Sequence, residues 1–219
     1  MGGAGRVEKV GMRRALAGLA TVLLLIGGTR PAAAQNLEQY DYANLGLRAI
    51  GVEVLYVSAS QNEGTFGFGA KLDLGFLGPG IRVVPRFAYW RADVEDSSID
   101  ELERQLEQVS DLEPGTINLG AIERSAYVTG ADVHFIASLP TVSPYVGAGL
   151  DVYLLNDDGA AIRGTFLDDL VVTAGVSAVG GLQVALSSGW SVFGELRATA
   201  VTSASSVGGA FGVYYTFGF

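Results

Sequence analysis

The chain has 219 residues, a formal net charge of −9, 49% hydrophobic residues and no cysteine. The lack of cysteine excludes a disulfide framework, a thiolate metal site and a cysteine nucleophile. The negative charge disfavours a nucleic-acid partner, because phosphate binding requires a basic face. A content of 31 glycines with only 17% charged residues also argues against a disordered acidic tail.

The first 34 residues have the organisation of a secretory signal peptide. A basic region that ends at Arg14 precedes the 12-residue apolar run Ala15 to Ile26, and small residues follow at Ala32-Ala33-Ala34. An apolar helix of that length reaches about 18 Å, which is too short for a hydrocarbon core of about 30 Å. We therefore expect export, removal of residues 1–34, and a single domain over residues 35–219.

From Gly46 onward the hydrophobicity alternates with a period of two, which predicts β-strands. Eight segments show this pattern: Gly46–Tyr56, Thr65–Phe76, Ile81–Trp90, Ser125–Ile136, Tyr145–Leu155, Leu170–Leu186, Trp190–Ala200 and Phe211–Phe219. Short links (Leu77–Gly80, Leu139–Ser143, Ser187–Gly189) alternate with long ones (Val57–Gly64, Ala92–Arg124, Asn156–Asp169, Val201–Gly209). Such an up-and-down arrangement closes most simply into a barrel, because closure removes the sheet edges.

The polar faces of these segments consist mostly of Gly, Ser, Thr and Ala, with one or two charges each. Small residues suit the crowded interior of an eight-stranded barrel. The apolar faces carry aromatic residues near the strand ends, as at membrane interfaces: Phe76, Tyr89, Tyr127, Phe135, Trp190 and Phe219. We therefore predict a barrel with an apolar exterior in an outer membrane and both termini in the periplasm. A secreted soluble barrel or sandwich is the alternative.

Two further stretches carry a resemblance to a known family. Ser143-Pro144-Tyr145-Val146-Gly147-Ala148-Gly149 enters the fifth segment, and the chain ends on Tyr215-Thr216-Phe217-Gly218-Phe219. With the signal peptide, they make residues 36–219 resemble the small eight-stranded outer-membrane β-barrel proteins of the OmpA/OmpX type. That resemblance implies an all-β, eight-stranded, antiparallel up-and-down transmembrane barrel surrounded by outer-membrane lipids and lipopolysaccharide. It also implies that Tyr215, Phe217 and Phe219 form the signal read by the outer-membrane assembly machinery, although Tyr214 stands where that signal usually has glycine. We expect none of the peptidoglycan-binding domain found in longer members.

Ten titratable residues fall on the polar faces: Glu53, Lys71, Asp73, Arg82, Arg86, Asp132, His134, Asp151, Glu195 and Arg197. Pairing of the second and third segments places Lys71 opposite Arg86, so carboxylates from other segments must neutralise them. Glu53 and Glu195 are available. We interpret the set as a salt-bridge network in the lumen, because an unpaired buried charge is costly. An ion or proton path is the alternative.

His134 is the only histidine of the chain. Barrel enzymes that modify lipid A use a histidine near the cell surface, whereas the direction of the fourth segment places His134 near the periplasmic end, out of reach of such a substrate. The chain also has no G-x-S-x-G motif. We therefore expect no catalytic residue, no cofactor and a structural or surface-interaction role. A small porin-like channel is the first alternative, which the bulky lumen residues Tyr145, Tyr153, Phe193 and Tyr214 disfavour, and a lipid A-modifying enzyme is the second.

The link Ala92–Arg124 contains the one predicted helix. Ser98 and Glu101 form a capping box at its start, and Pro114-Gly115 ends it. An apolar stripe lies between them at helical spacing: Ile99, Leu102, Leu106 and Val109. We expect this stripe to hold the helix over the mouth of the barrel, with a docking surface for an external partner as the alternative.

The long links, which would face outside the cell, are rich in carboxylates. The pairs Asp157-Asp158 and Asp168-Asp169 lack the spacing of an EF-hand, and we interpret them as solvated residues and not as a metal site. The carboxylates of these loops and the phosphate groups of lipid heads repel each other unless divalent cations bridge them. The order of the loops is therefore predicted to depend on Ca²⁺ or Mg²⁺ and on ionic strength.

Overall fold

The computed structural model describes residues 45–137, 139–165, 170–187, 189–201 and 205–218. The predictions for the signal peptide, the domain boundary at residue 35, Phe219 and the pair Asp168-Asp169 lie outside these residues. Within them the chain forms strands β1 (Leu45–Ala59), β2 (Thr65–Gly78), β3 (Ile81–Asp93), β4 (Glu123–Ile136), β5 (Val142–Asp158), β6 (Val171–Ser187), β7 (Trp190–Val201) and β8 (Ser205–Thr216), and helix α1 (Asp96–Val109). In this part of the chain, no helix combines the length and apolar character needed to cross a bilayer.

The strands form a closed antiparallel barrel in sequence order, with β8 paired to β1. This confirms the predicted eight-stranded up-and-down topology, and closure leaves the sheet without an edge. The prediction of a long link over Val201–Gly209 is wrong, because β8 begins at Ser205 and only residues 202–204 separate it from β7. Ser205 and Ser206 pair with Ala200 and Thr199, since ladder hydrogen bonds need no apolar side chain.

The barrel wall is apolar on its outer face and polar on its inner face. Outward side chains such as Phe66, Leu150 and Phe211 are 71%, 70% and 63% exposed, whereas the inward Lys71 and Asp132 are 1% and 0% exposed. A protein in water has the opposite arrangement, so this exterior is one that faces lipid. The predicted orientation of the two faces is confirmed, and the soluble alternative is contradicted. The chain is an integral barrel protein of the outer membrane.

Aromatic side chains lie on the exterior toward both ends of the barrel. At the end with the long connections, the predicted extracellular end, Tyr89 lies 5.4 Å from Phe68 and 4.8 Å from Tyr127 between ring centroids. At the periplasmic end, Trp190 and Tyr215 lie 5.0 Å apart. Amphipathic rings at these two levels match the polar boundaries of a bilayer.

Among the predicted exterior aromatics that the structure describes, Phe76 is the exception, because it packs inside the barrel near Tyr145. A bulge in β2 shifts the register by one residue, so that Phe76 pairs with the inward Arg82. Gly75 provides the bulge with a φ of 82°, and its N–H donates to the Asp73 carboxylate at 2.8 Å. A shift of one residue moves every later side chain to the other face, which makes the prediction for Phe76 wrong.

Candidate functional site

Lys71 lies at the centre of the lumen between two carboxylates. Its Nζ atom is 2.9 Å from Oε2 of Glu53 on β1 and 2.6 Å from Oε2 of Glu195 on β7. These three side chains are at most 2% exposed. The Lys71 ammonium on β2 therefore connects β1, which neighbours β2 in the sheet, with β7, which does not.

Arg197 is the second bridging cation of the lumen. Its Nη1 and Nη2 atoms donate to the two oxygens of Asp132 at 2.9 and 2.6 Å, and Nη2 lies 3.3 Å from Oε1 of Glu195. Nη1 also donates to the hydroxyl of Ser177 at 2.9 Å. The fork geometry of the guanidinium holds β4, β6 and β7 together through charge-assisted hydrogen bonds.

The remaining lumen arginines have their own carboxylates. Arg86 donates to Oδ1 of Asp151 through Nε at 3.0 Å and through Nη2 at 2.8 Å. Arg82 lies 3.4 Å from the Asp73 carboxylate and donates to Oε1 of Gln183 at 2.8 Å. The structure thus places all ten titratable residues of the polar faces in the lumen, each in contact with another member of the set.

Several polar partners in the lumen, the Ser177 hydroxyl that accepts from Arg197 among them, were missed by the sequence reasoning. Tyr145 donates its hydroxyl to Glu195 at 2.9 Å, although its size alone had marked it as a filler of the bore. Gln183 connects Arg82 to the hydroxyl of Ser191, to which its Nε2 donates at 2.8 Å. Inward parity was the available signal for Gln183 and Ser191, but parity does not say which charge a neutral side chain meets.

His134 is 1% exposed and stacks on the ring of Tyr145 at 4.7 Å between centroids. Its Nδ1 atom is 3.4 Å from Nη2 of Arg82. Arginine can only donate, so Nδ1 accepts and the proton of the neutral ring lies on Nε2. The residue lies close to the periplasmic end of β4, among a guanidinium, a carboxylate and a phenol ring.

Bulky side chains fill the bore above and below the charges. On the extracellular side, Leu55, Trp90, Val128 and Tyr153 pack into one apolar cluster. Below it, Phe193 packs on Tyr214, at 4.8 Å between centroids, and underlies the Lys71 ammonium at 4.7 Å. A cavity of about 50 Å³ lies between the charges and the apolar cluster, which is room for a few water molecules.

Helix α1 belongs to an extracellular cap whose small core consists of Ile99, Leu119, Ile122 and Ile162. The predicted capping box is wrong, because the helix begins at Asp96 after Glu95, and Ser98 lies in its first turn with its N–H donating to the Glu95 carbonyl at 2.8 Å. An acidic first turn suits the positive end of the helix dipole, so the helix extends upstream of Ser98.

The apolar stripe of α1 packs within the cap. Ile99 is 7% exposed and contacts a cluster that contains Ile162 from the β5–β6 connection, and Leu102 and Leu106 pack against the same cluster. Val109 is 87% exposed, so its prediction as a stripe member is wrong. The small core ends along the helix at Leu106, so Val109 lies beyond it.

Two carboxylates of α1 also hold the following segment. Oε1 of Glu107 accepts the backbone N–H of Ile117 at 2.9 Å, and Oε1 of Glu103 accepts that of Leu119 at 2.7 Å. Glu107 is only 4% exposed. These side chains therefore stabilise the cap, in addition to the apolar stripe.

Replacing Ile99 with Asp is expected to release the cap without unfolding the barrel. A carboxylate in the small core should raise protease nicking within Ser97–Gly115 on intact cells by about tenfold or more. Val109→Asp is the matched control and should have no such effect, because Val109 is exposed. Equal nicking of both variants, or wild-type protection that disappears with chelator, would show that divalent cations and not this core hold the segment.

Comparison with protein-family models and with curated proteins finds no match. Among solved structures, Neisserial surface protein A (NspA) aligns with a TM-score of 0.52 and 16% identity, over 77% of this chain and 96% of that one. Ail, the attachment invasion locus protein of Yersinia pestis, in complex with the heparin analogue sucrose octasulfate, aligns with a TM-score of 0.52 and 16% identity, over 79% and 99%. Both are small eight-stranded outer-membrane barrels, so the likeness establishes the fold.

Proposed function

From a lipid-facing barrel with a filled lumen and a packed extracellular cap, we propose a closed, non-conducting scaffold that presents the cap to a partner outside the cell. The observation that carries this proposal is the charge network around Lys71, Arg197, Arg86 and Arg82. Each of these cations contacts at least one carboxylate within 3.4 Å. A conduit would have to break such pairs and move the rings above and below them.

The cap supports the surface role. A barrel wall needs no helix in a connection, yet α1 is ordered by an apolar core and by the backbone hydrogen bonds of Glu103 and Glu107. Ordering such a segment costs conformational entropy, and a rigid surface reduces the entropy cost of binding a partner. The Yersinia pestis barrel was solved with a polyanion. The extracellular end of this chain is acidic, so we propose a partner of the opposite charge to that ligand.

The proposal contains no catalytic step. His134 supports this part, because its ring lies deep in the lumen near the periplasmic end and is engaged with Arg82 and Tyr145. A general base must reach its substrate within hydrogen-bond distance. We propose that the apolar belt is in contact with outer-membrane lipids and lipopolysaccharide, and that Tyr215, Phe217 and Phe219 are read by the assembly machinery.

Planar-bilayer recordings test the scaffold. The purified monomer should show silence or rare small openings, because paired charges and bulky aromatic rings occupy an eight-stranded bore. A porin inserted in the same bilayer is the positive control. Steady, large conductance from the monomer would overturn the proposal in favour of a small channel.

A further inference from the structure

The extracellular end carries most of the negative charge of the described residues. Its four arginines are Arg91, Arg104, Arg124 and Arg163. Its carboxylates are Glu63, Asp93, Glu95, Asp96, Asp100, Glu101, Glu103, Glu107, Asp111, Glu113, Glu123, Asp157 and Asp158. Such an excess produces a potential that attracts cationic molecules and repels anionic ones.

Every one of these arginines already contacts a carboxylate. The N–O distances are 2.9 Å for Arg91 with Glu123, 2.5 Å for Arg104 with Glu101, 2.6 Å for Arg124 with Asp157 and 3.2 Å for Arg163 with Asp158. Seven exposed carboxylates remain without such a partner in the ion pairs above: Glu63, Asp93, Glu95, Asp96, Asp100, Asp111 and Glu113. Among the described residues, no three acidic or histidine side chains are grouped so as to hold a metal ion. The negative charge is therefore distributed over the extracellular end and suits an extended cationic ligand.

The C-terminal end of α1 combines this field with exposed apolar surface. Val109 is 87% exposed and Leu112 is 44% exposed. The last turn contains no basic residue, and Asp111 and Glu113 follow it directly. The negative end of the helix dipole thus lies beside two carboxylates, a local repulsion that a cation from outside would relieve.

We propose that this end of α1, made of Val109, Leu112, Asp111 and Glu113, docks a basic protein segment that carries an apolar side chain between lysines or arginines. The inference rests on the proposed surface role and names the chemistry of the partner. The apolar side chain of the segment covers Val109 and Leu112, while its cations face Asp111, Glu113 and the dipole. Complementary charge speeds the encounter and fixes the orientation, and apolar burial slows dissociation.

The same charges argue against two other occupants. A second copy of the chain would bring an equally acidic cap against this one. Phosphate groups of lipopolysaccharide are repelled as well, unless divalent cations bridge them to the carboxylates. Both occupants are distinguishable outcomes of the experiment below.

The test uses the full-length protein in nanodiscs of zwitterionic lipid, with empty nanodiscs as the blank. Two labelled peptides of equal charge, repeating Lys-Leu-Lys and repeating Lys-Ser-Lys, are titrated and followed by fluorescence anisotropy at several salt concentrations. The wild-type protein should bind the leucine peptide about fivefold more tightly than the serine peptide. Binding of both peptides should weaken as salt rises.

Three variants separate the contributions. Asp111→Asn with Glu113→Gln should weaken binding of both peptides about fivefold, whereas Glu63→Gln with Asp93→Asn removes equal charge elsewhere and should weaken it less than about twofold. Asp111 has a φ of 54°, a conformation that asparagine adopts readily, so the fold tolerates the change. Val109→Ser with Leu112→Ser should abolish the preference for the leucine peptide.

Equal effects of the two charge variants, or equal affinity for the two peptides, would overturn the proposal. Binding of lipopolysaccharide vesicles that requires Ca²⁺ and exceeds peptide binding would assign the surface to a lipid instead, and concentration-dependent dimers lost in Val109→Ser with Leu112→Ser would assign it to a second copy. The peptide titrations and the bilayer recordings are independent measurements. Failure of the docking proposal can therefore be distinguished from failure of the proposed closed scaffold.

Discussion

Replacing Lys71 with methionine is expected to lower the free energy of unfolding by about 3–5 kcal/mol. Methionine preserves the length of the side chain and its contact with Phe193, but it removes the ammonium that lies between Glu53 and Glu195. Glu53 and Glu195 would then share the interior without the cation that lies 2.9 and 2.6 Å from them. The measurement is urea unfolding in lipid vesicles, followed by tryptophan fluorescence.

Arg91→Met is the matched control, because the Arg91–Glu123 pair is 53% and 38% exposed. Loss of an exposed pair should cost less than about 1 kcal/mol. The double variant Lys71→Met with Glu53→Gln should recover most of the loss, since Glu195 retains Arg197 and the hydroxyl of Tyr145. If the double variant is no more stable than Lys71→Met, the loss of stability does not come from a buried carboxylate that has lost its cation.

Replacing Gly149 with leucine should prevent folding of the barrel or destabilise it by about 3 kcal/mol or more. Gly149 lies on β5 opposite Asp132, and a Cβ atom there would overlap Oδ1 of Asp132 and lie 2.8 Å from Oγ of Ser177. The added side chain would push Asp132 away from Arg197, and the buried Asp132 carboxylate would lose these two hydrogen bonds. The folded fraction can be measured by gel mobility with and without boiling.

Gly194→Leu is the control for this substitution. Gly194 shares the outward face of β7 with Trp190, and a Cβ atom there meets nothing within 4 Å. A leucine at this position contacts lipid and should leave folding unchanged or improve it. The opposite order of the two variants would contradict the assignment of the polar face to the lumen.

The number of strands, their order and the faces of most side chains follow from the sequence, because the period of two is a local property of the chain. The polar face of Thr65–Phe76 shows that Lys71 and Asp73 share a side, and the alternation of short and long links shows which strand ends lie together. Composition then decides between lipid and water, since small residues with few charges suit a crowded interior. No knowledge of distant contacts is needed for these steps.

Which charge pairs with which depended on the closed barrel. Strand stagger and the width of the bore decide that Lys71 meets Glu195 on β7, and strands distant in sequence bring Arg197 to Asp132. The bulge at Gly75, which turns Phe76 inward, depends on a positive φ that any glycine can adopt, so the sequence does not show which glycine adopts it. The helix was predictable from its apolar stripe, yet Val109 was not, because only the packed cap shows where its small core ends. Local periodicity determined the faces of this protein, and closure of the sheet determined the partners, since partners depend on distances between segments that no local pattern records.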